Sequence, residues 1–248
     1  ETFDQSSDFI INIHNAHTPH QRVTQEKLTL SQAIQPEVYT DAATANRYMR
    51  LHAHACPLKV NYHAVVDIDH YVVEPSQIVE VPVARLPTQV LNYIYPSRYC
   101  QSDRLYKLAT REFGHLWQGY SRVQAIKEWV QKRVAFTPNS SNGSTSAIDT
   151  LIEQVGVCRD FAHLMIALCR AVNIPARFVT GTDYGANPIL GPHDFHAYVE
   201  VYLGDRWYIF VPSGTSIPVC FVRFGVGRDA ADGPFATIFG SVSSLPPM

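Results

Sequence analysis

The sequence has few charged residues and no long apolar run. Charged side chains make up 17% of the 248 residues, and the formal net charge is −2. Because nucleic-acid binding depends on clustered lysines and arginines, this balance argues against nucleic acid as a partner. No run of about 18 apolar residues could form a membrane-spanning helix, so no membrane association is expected.

Cysteine is also scarce, and its pattern is uninformative about metals. The five cysteines are odd in number and include no Cys-x-x-Cys pair, which favours free thiols in a reducing compartment and therefore the cytoplasm. Some histidines are spaced like metal ligands: His14, His17 and His20, and His52 with His54. No cysteine or carboxylate cluster supports them, so neither a metal nor a cofactor is expected.

A run centred on one cysteine predicts the start of a helix. Cys158 is followed by apolar side chains at helical spacing, namely Phe161, Leu164, Met165 and Leu168. In the first turn, free backbone N–H groups and the helix dipole should stabilise the thiolate and lower the pKa of the thiol. The same N–H groups can hydrogen-bond an oxyanion. Cys158 is therefore the candidate nucleophile.

A later run predicts a strand that carries the candidate base. Phe195, Ala197, Val199 and Val201 alternate with His196, Tyr198, Glu200 and Tyr202. The alternation turns His196 away from the aliphatic face of the strand. A cysteine at a helix start and a histidine on a later strand can act together in nucleophilic catalysis. The imidazole takes the proton of the thiol and then donates a proton to the leaving group.

The rest of the chain divides into two regions. Residues 1–85 contain short apolar runs without helical periodicity, which predicts an N-terminal antiparallel β domain. Residues 86–248 form the second region. Ser121 with Gln124 and Ser146 with Asp149 match capping boxes and predict two helix starts there. Strands are predicted at 176–182, 195–203 and 206–211, the last two joined by a hairpin turn at Gly204.

The order of cysteine, helix and histidine strand is similar to papain-like and transglutaminase-like cores. The blocks 156–168, 174–177, 196–201 and 207–210 look like the core of the bacterial transglutaminase-like family of cysteine proteases, and the segments 91–103 and 227–232 resemble its flanks. The resemblance implies an α+β fold, in which an N-terminal β domain is followed along the chain by a core of helices packed on an antiparallel sheet. It also implies Cys158 and His196 as catalytic residues.

The chain departs from this family at the third catalytic position. There the family carries an aspartate that hydrogen-bonds the histidine, whereas this chain has Val211. Valine cannot accept a hydrogen bond from an imidazole, and losing the orienting acid of a serine protease costs on the order of 10⁴ in turnover. Cysteine enzymes tolerate such a loss better. The sequence leaves the replacement open among Asp194, Asp205, Asp229 and Asp232.

Two functions follow from these features. The first is an enzyme that acts on a peptide or carboxamide bond through a thioester on Cys158, either as a protease or amidase or by acyl transfer to an amine. The second is a catalytically impaired scaffold that binds a peptide or a protein partner, which Val211 favours. In both cases the expected partner is a peptide or protein. The sequence gives no indication of the oligomeric state.

Overall fold

The computed structural model describes residues 2–3, 6–184, 195–215, 221–240 and 242–243. The helices of this part are α1 (Ser102–Phe113), α2 (Tyr120–Arg133), α3 (Ala147–Glu153) and α4 (Cys158–Ala171). The strands are β1 (Thr2–Phe3), β2 (Ser7–Ile11), β3 (Gln21–Leu30), β4 (Glu37–Thr40), β5 (Arg47–Ala53), β6 (Val60–Ile68), β7 (Ala135–Phe136), β8 (Val155–Gly156), β9 (Ala176–Asp183), β10 (Phe195–Leu203), β11 (Arg206–Phe210), β12 (Phe221–Gly227), β13 (Ala236–Phe239) and β14 (Val242–Ser243). Short 3₁₀ turns lie at Pro75–Gln77, Val83–Arg85 and Thr88–Tyr93.

The N-terminal part of the chain folds into antiparallel strands, as predicted. One sheet has the order β13-β2-β5-β4, and β3 pairs with β6 in a separate two-stranded ribbon. Along β5, buried Met49, Leu51 and Ala53 alternate with exposed Arg50 and His52, because successive strand residues point to opposite faces. Strand β13 comes from late in the chain, so this sheet contains residues from both sides of position 85. The boundary between 85 and 86 stays a prediction.

Helix α4 runs through the centre of the helical layer. Its residues from Asp160 to Ala171 are all buried, and α1, α2 and α3 pack against it. The helix ends at Ala171, because Asn173 takes a left-handed conformation with φ of 63° and Pro175 cannot continue a helix. This burial holds the start of α4, where the candidate nucleophile lies, in a fixed position relative to the core.

Capping residues predicted one of two helix starts correctly. Ser146 and Asp149 form the capping box of α3, with the Ser146 N–H donating to Asp149 at 2.9 Å. The prediction for Ser121 is wrong, since α2 already begins at Tyr120. The N-cap is instead Gly119, two residues before the predicted cap at Ser121, and it adopts φ of 135°, a conformation that other residues rarely take.

The second region contains a four-stranded antiparallel sheet with the order β11-β10-β9-β12. One face packs against α4 through apolar side chains that include Phe178, Ala197 and Val199. The opposite face carries a smaller cluster that includes Tyr198 and Phe221. Helices on one face of an antiparallel sheet, together with the N-terminal strands, confirm the predicted α+β fold.

A buried histidine joins α4 to the segment after β12. The His163 ring lies between the rings of Tyr99 and Phe178, with both centroid distances at 5.1 Å. Its Nε2 accepts the backbone N–H of Ala230 at 3.1 Å, so the neutral ring carries its proton on Nδ1. Burial, followed by the charges of two nearby arginines, holds the pKa of His163 well below its usual value of 6.5.

This histidine should make the fold sensitive to acid. Because its pKa is lowered in the folded protein, the unfolded chain binds the proton more strongly, and stability falls as the pH drops below 6.5. We expect the free energy of unfolding to fall by about 2 kcal/mol between pH 7 and pH 5 from this group alone. Urea denaturation at both pH values measures it. His163→Gln should lose this part of the pH dependence, and the exposed His17→Gln should keep it; equal losses in all three proteins would contradict the assignment.

Candidate active site

Cys158 is the first residue of α4 and is half-buried against the helical core. The chain reaches it through Gly156, which lies so close to Asp160 that an added Cβ would stand 2.8 Å from the Asp160 Cβ. The Asp160 carboxylate accepts the N–H of Val157 at 2.9 Å and so closes the first turn. Local packing therefore fixes the start of the helix at the predicted nucleophile.

An ion pair ties the preceding loop to this helix start. The side chains of Arg159 and Asp160 lie 3.2 Å apart, and Ser141 donates to Asp160 at 2.9 Å. Arg159 also donates to Ser141 at 2.6 Å and lies over the ring of Tyr99. The two opposite charges offset each other in part, and the dipole of α4 adds a favourable field at the Cys158 thiol.

His196 is the second residue of β10 and lies opposite Gly181 of β9. Its ring stacks on the ring of Phe221, with centroids 5.3 Å apart and an interplanar angle of 18°. His196 therefore lies on the sheet face that carries Tyr198 and Phe221, whereas its neighbour Ala197 packs on the face of α4. The face predicted for this histidine from the alternation of the strand is the one observed.

The two predicted residues lie at the same end of the helix and the sheet. Helix α4 is followed directly by β9, so the two elements run in opposite directions and the start of α4 lies toward the end of β9. His196 pairs with Gly181 near that end of β9. The fold thus brings Cys158 and His196 to the same end of the core. The His196 side chain lies on the sheet face opposite the one that packs on α4.

Val211 occupies an apolar environment on the face that carries His196. It follows β11, is 4% exposed, and packs in a cluster with Val179, Tyr198 and Phe221. The position is thus the one from which a carboxylate could approach the histidine strand, but in this chain the surroundings are apolar. No hydrogen-bonding group takes the place of the expected aspartate at position 211.

The acids named as replacements are engaged elsewhere or lie outside the described part. Asp205 lies in the exposed turn at the far end of β10. Asp229 is buried and accepts two backbone N–H groups, and Asp232 pairs with Arg228 at 2.7 Å. Asp194 lies outside the described residues. The contacts of Asp205, Asp229 and Asp232 are thus with other groups and do not assign any of these three acids to the orientation of His196.

The structure adds an acid that the sequence argument did not consider. Asp183 is the last residue of β9, is 3% exposed, and shares a strand face with Gly181, the residue opposite His196. The sequence gives only one indication that Asp183 lies on this face: residues 181 and 183 are two positions apart, so on one strand they share a face. Which strand pairs with β9, and in which register, is set by tertiary packing.

A cleft of about 500 Å³ opens at the end of the sheet where β9 finishes. It lies between one face of β6 and the ends of β9 and β12. One wall is formed by Tyr62, Ala64, Val66 and Ile68, and the other by Thr182, Tyr184, Val222 and Phe224. Thr182 and Val222 lie level with Phe195 in the register, so the cleft opens at the end of the sheet that carries His196 but on the opposite face, and neither Cys158 nor His196 lines it.

The histidines with ligand-like spacing have other contacts. His14 is buried against the ring of Tyr62, and the exposed His52 lies 2.7 Å from Asp8. Within the described ranges, no group of three or more His, Cys, Asp or Glu side chains is arranged to hold a metal ion. None of the helices in those ranges is long and apolar enough to cross a membrane.

Family models match both parts of the chain. Residues 107–212, which include Cys158 and His196, match the core of the transglutaminase-like superfamily. Residues 2–89 match the N-terminal domain of bacterial transglutaminase. Among curated proteins, an uncharacterized protein of Mycobacterium leprae is 29% identical over 114 residues, and one of Mycobacterium bovis is 31% identical over 110 residues.

These curated relatives are only partly covered. The matches span 44% and 40% of this chain, but 41% and 35% of the relatives, so the chain spans well under half of their length.

A solved structure agrees over nearly the whole fold: the "Putative Cysteine Protease from Cytophaga hutchinsonii" is 40% identical, with a TM-score of 0.93 over 98% of this chain and 84% of that one. With both family models and a relative of this identity along almost all of its length, the protein belongs to the transglutaminase-like superfamily.

Proposed function

We propose that this protein is a cysteine enzyme that acts on a peptide or carboxamide bond through a thioester on Cys158. The observation that carries the proposal is the place of Cys158 as the half-buried first residue of a buried helix. The helix dipole and the N–H groups of the first turn favour a thiolate there and can also hydrogen-bond an oxyanion. His196, at the same end of the core, supplies the second group that this chemistry needs.

The reaction divides into two steps. The Cys158 thiolate attacks the carbonyl carbon, a C–S bond forms, and the C–N bond breaks as the protonated His196 gives its proton to the leaving amine or ammonia. Water or a second amine then attacks the thioester, returns a proton to the site and releases Cys158. Both proton transfers require the His196 ring to lie within hydrogen-bond reach of the thiol and of the leaving group.

The cleft supports a peptide or protein substrate. Its walls combine aliphatic and aromatic side chains, and Tyr62 and Tyr184 add polar groups at their tips. Aromatic side chains with a polar tip suit a surface that contacts both apolar side chains and peptide groups. A cleft at the same end of the sheet as His196 can hold part of a bound peptide.

A non-catalytic scaffold is the second candidate. The apolar cluster around Val211 favours it, because no acid orients His196 from the usual strand. In this case the cleft binds a peptide without turnover. The half-buried thiol at a helix start argues for the enzyme, since binding alone needs neither Cys158 nor His196.

We also propose a reducing compartment, the cytoplasm, as the site of action. In the described part of the chain, Cys56, Cys100 and Cys169 are free thiols. Free thiols persist where disulfides are kept reduced, and a nucleophilic thiol depends on this.

An assay with two substrates tests the proposal. The protein is incubated with fluorescein-labelled casein, and separately with a glutamine-containing peptide plus monodansylcadaverine. The appearance of new peptide termini identifies a protease. Release of ammonia without dansyl incorporation identifies an amidase, and dansyl incorporation identifies an acyl transferase. If these peptides bind equally to the wild type and to Cys158→Ala but none is converted, the scaffold becomes the better description.

A further inference from the structure

We propose that Asp183 positions His196, supplying from β9 the carboxylate that Val211 cannot supply from β11. The inference rests on the proposed function, because orienting an imidazole matters only if His196 transfers protons. It makes Asp183 a positioning residue, which acts on substrate through the histidine. Strands β11 and β9 flank β10 on its two sides. The orienting acid therefore stands on β9 in this chain, on the opposite side of the histidine strand from position 211.

The strand register places the two side chains next to each other. His196 pairs with Gly181, and Asp183 is two residues further along the same face of β9. Diagonal neighbours of this kind are roughly 7–8 Å apart at their backbones, a gap that longer side chains span. An imidazole on one strand and a carboxylate on the next can therefore meet in a hydrogen bond.

The contact of His196 with Phe221 links the two outer strands of this sheet region across β9. Phe221 lies on β12, on the far side of β9, and is the direct partner of Asp183 in the register. Directly paired residues have Cβ atoms about 4.5–5.5 Å apart. The His196 and Phe221 rings stack at 5.3 Å, so together they span β9 on the face that carries Asp183, which is the partner of Phe221 and the diagonal neighbour of His196.

Gly181 lies between His196 and Asp183 in the register, since it pairs with His196 and is two residues from Asp183 on the same face. An added Cβ there would lie 2.2 Å from the backbone oxygen of Val222, so the strands are in close contact at this position. The absence of a side chain at Gly181 leaves this part of the face open between the imidazole and the carboxylate.

Burial makes the carboxylate effective as a partner for an imidazolium. Asp183 is 3% exposed, so water screens its charge weakly, and an opposite charge nearby is favoured more strongly than at the surface. Another charged side chain at this level of the face is Arg223, which pairs with Gly181 and directs its guanidinium to Glu200 at 3.5 Å. Arg223 is therefore held by another carboxylate.

The test compares Asp183→Asn with Asp205→Asn, a matched control in the exposed turn at the far end of β10. Nuclear magnetic resonance of histidine-labelled full-length protein follows the titration of His196, identified by the loss of its signal in His196→Gln. We expect Asp183→Asn to lower the pKa of His196 by at least about one unit, because it removes the opposite charge, and Asp205→Asn to leave it unchanged. Turnover should fall at least tenfold in kcat with little change in KM.

Two further variants separate positioning from folding. Asp183→Glu keeps the charge and should hold the pKa of His196 close to that of the wild type. The double variant Asp183→Asn with Val211→Asp should recover part of the lost kcat, because it restores an acid on the other flanking strand. An unchanged His196 pKa in a folded Asp183→Asn protein would overturn the inference, as would equal losses in Asp183→Glu and Asp183→Asn.

The titration does not depend on turnover, so the two proposals can fail separately. If no substrate is converted but the His196 pKa still falls in Asp183→Asn, the contact stands and the proposed activity fails. If substrate is converted and the pKa is unchanged, the activity stands and another group positions His196.

Discussion

Replacing Cys158 with alanine should abolish turnover, with a loss on the order of 10⁴-fold or more. Alanine has no thiol, so no thioester can form, and the N–H groups at the start of α4 can only polarise a carbonyl for attack by water. The fold should persist, because Cys158 is half-buried and the first turn is closed by Asp160 rather than by the thiol. The measurement is kcat/KM on any substrate found with the casein and glutamine-peptide assays, together with mass spectrometry of the trapped acyl-enzyme.

Cys56→Ala is the matched control, because Cys56 is an exposed free thiol that follows β5 and lies outside α4. It should retain full activity and leave the acyl adduct on the peptide that contains Cys158. Activity that survives in Cys158→Ala but disappears in Cys56→Ala would place the nucleophile elsewhere and refute the proposed site.

Replacing His196 with asparagine should lower kcat on the order of 10²- to 10⁴-fold, the range typical of general acid–base groups. Asparagine is polar and of similar length, so it tests proton transfer more than packing on Phe221. The amine must then leave without a proton donor, which slows the first step most for amides with basic leaving groups. Steady-state kinetics with an amide and a more reactive ester of the same acyl group measure this difference.

The ester should lose much less activity than the amide, because an alkoxide or phenolate leaves more easily without a proton. His17→Asn, at an exposed position, should affect neither substrate. Equal losses with ester and amide would mean that the substitution damages the site in another way and that His196 is not the acid of the first step.

The fold was predictable where one local pattern determines an element. The bounds of β10, the hairpin turn at Gly204 and the start of α4 follow from alternation, turn chemistry and helical spacing, and all are observed. The start of α2 was not predicted, because Gly119 and its tertiary contacts set it rather than the capping motif. A local motif competes with packing, and packing decides where the two differ.

The candidate site was predictable only in part, for the same reason. Cys158 and His196 stand out because each lies in a recognisable local pattern. Asp183 has no such pattern: its nearness to His196 depends on the pairing of β9 with β10 and on the absence of a side chain at Gly181. Likewise, the sequence could not show that Asp229 is engaged by backbone N–H groups.

The central claim is that Cys158 and His196 form a working nucleophile and base without an acid at position 211. The most direct test is the pH dependence of alkylation by iodoacetamide at each cysteine, read by peptide mass spectrometry in the wild type and in His196→Ala. We predict that Cys158 reacts with an apparent pKa well below the ordinary thiol value of about 8.5, and that His196→Ala raises it. A Cys158 that titrates like Cys56, or that is unaffected by His196→Ala, would contradict the claim.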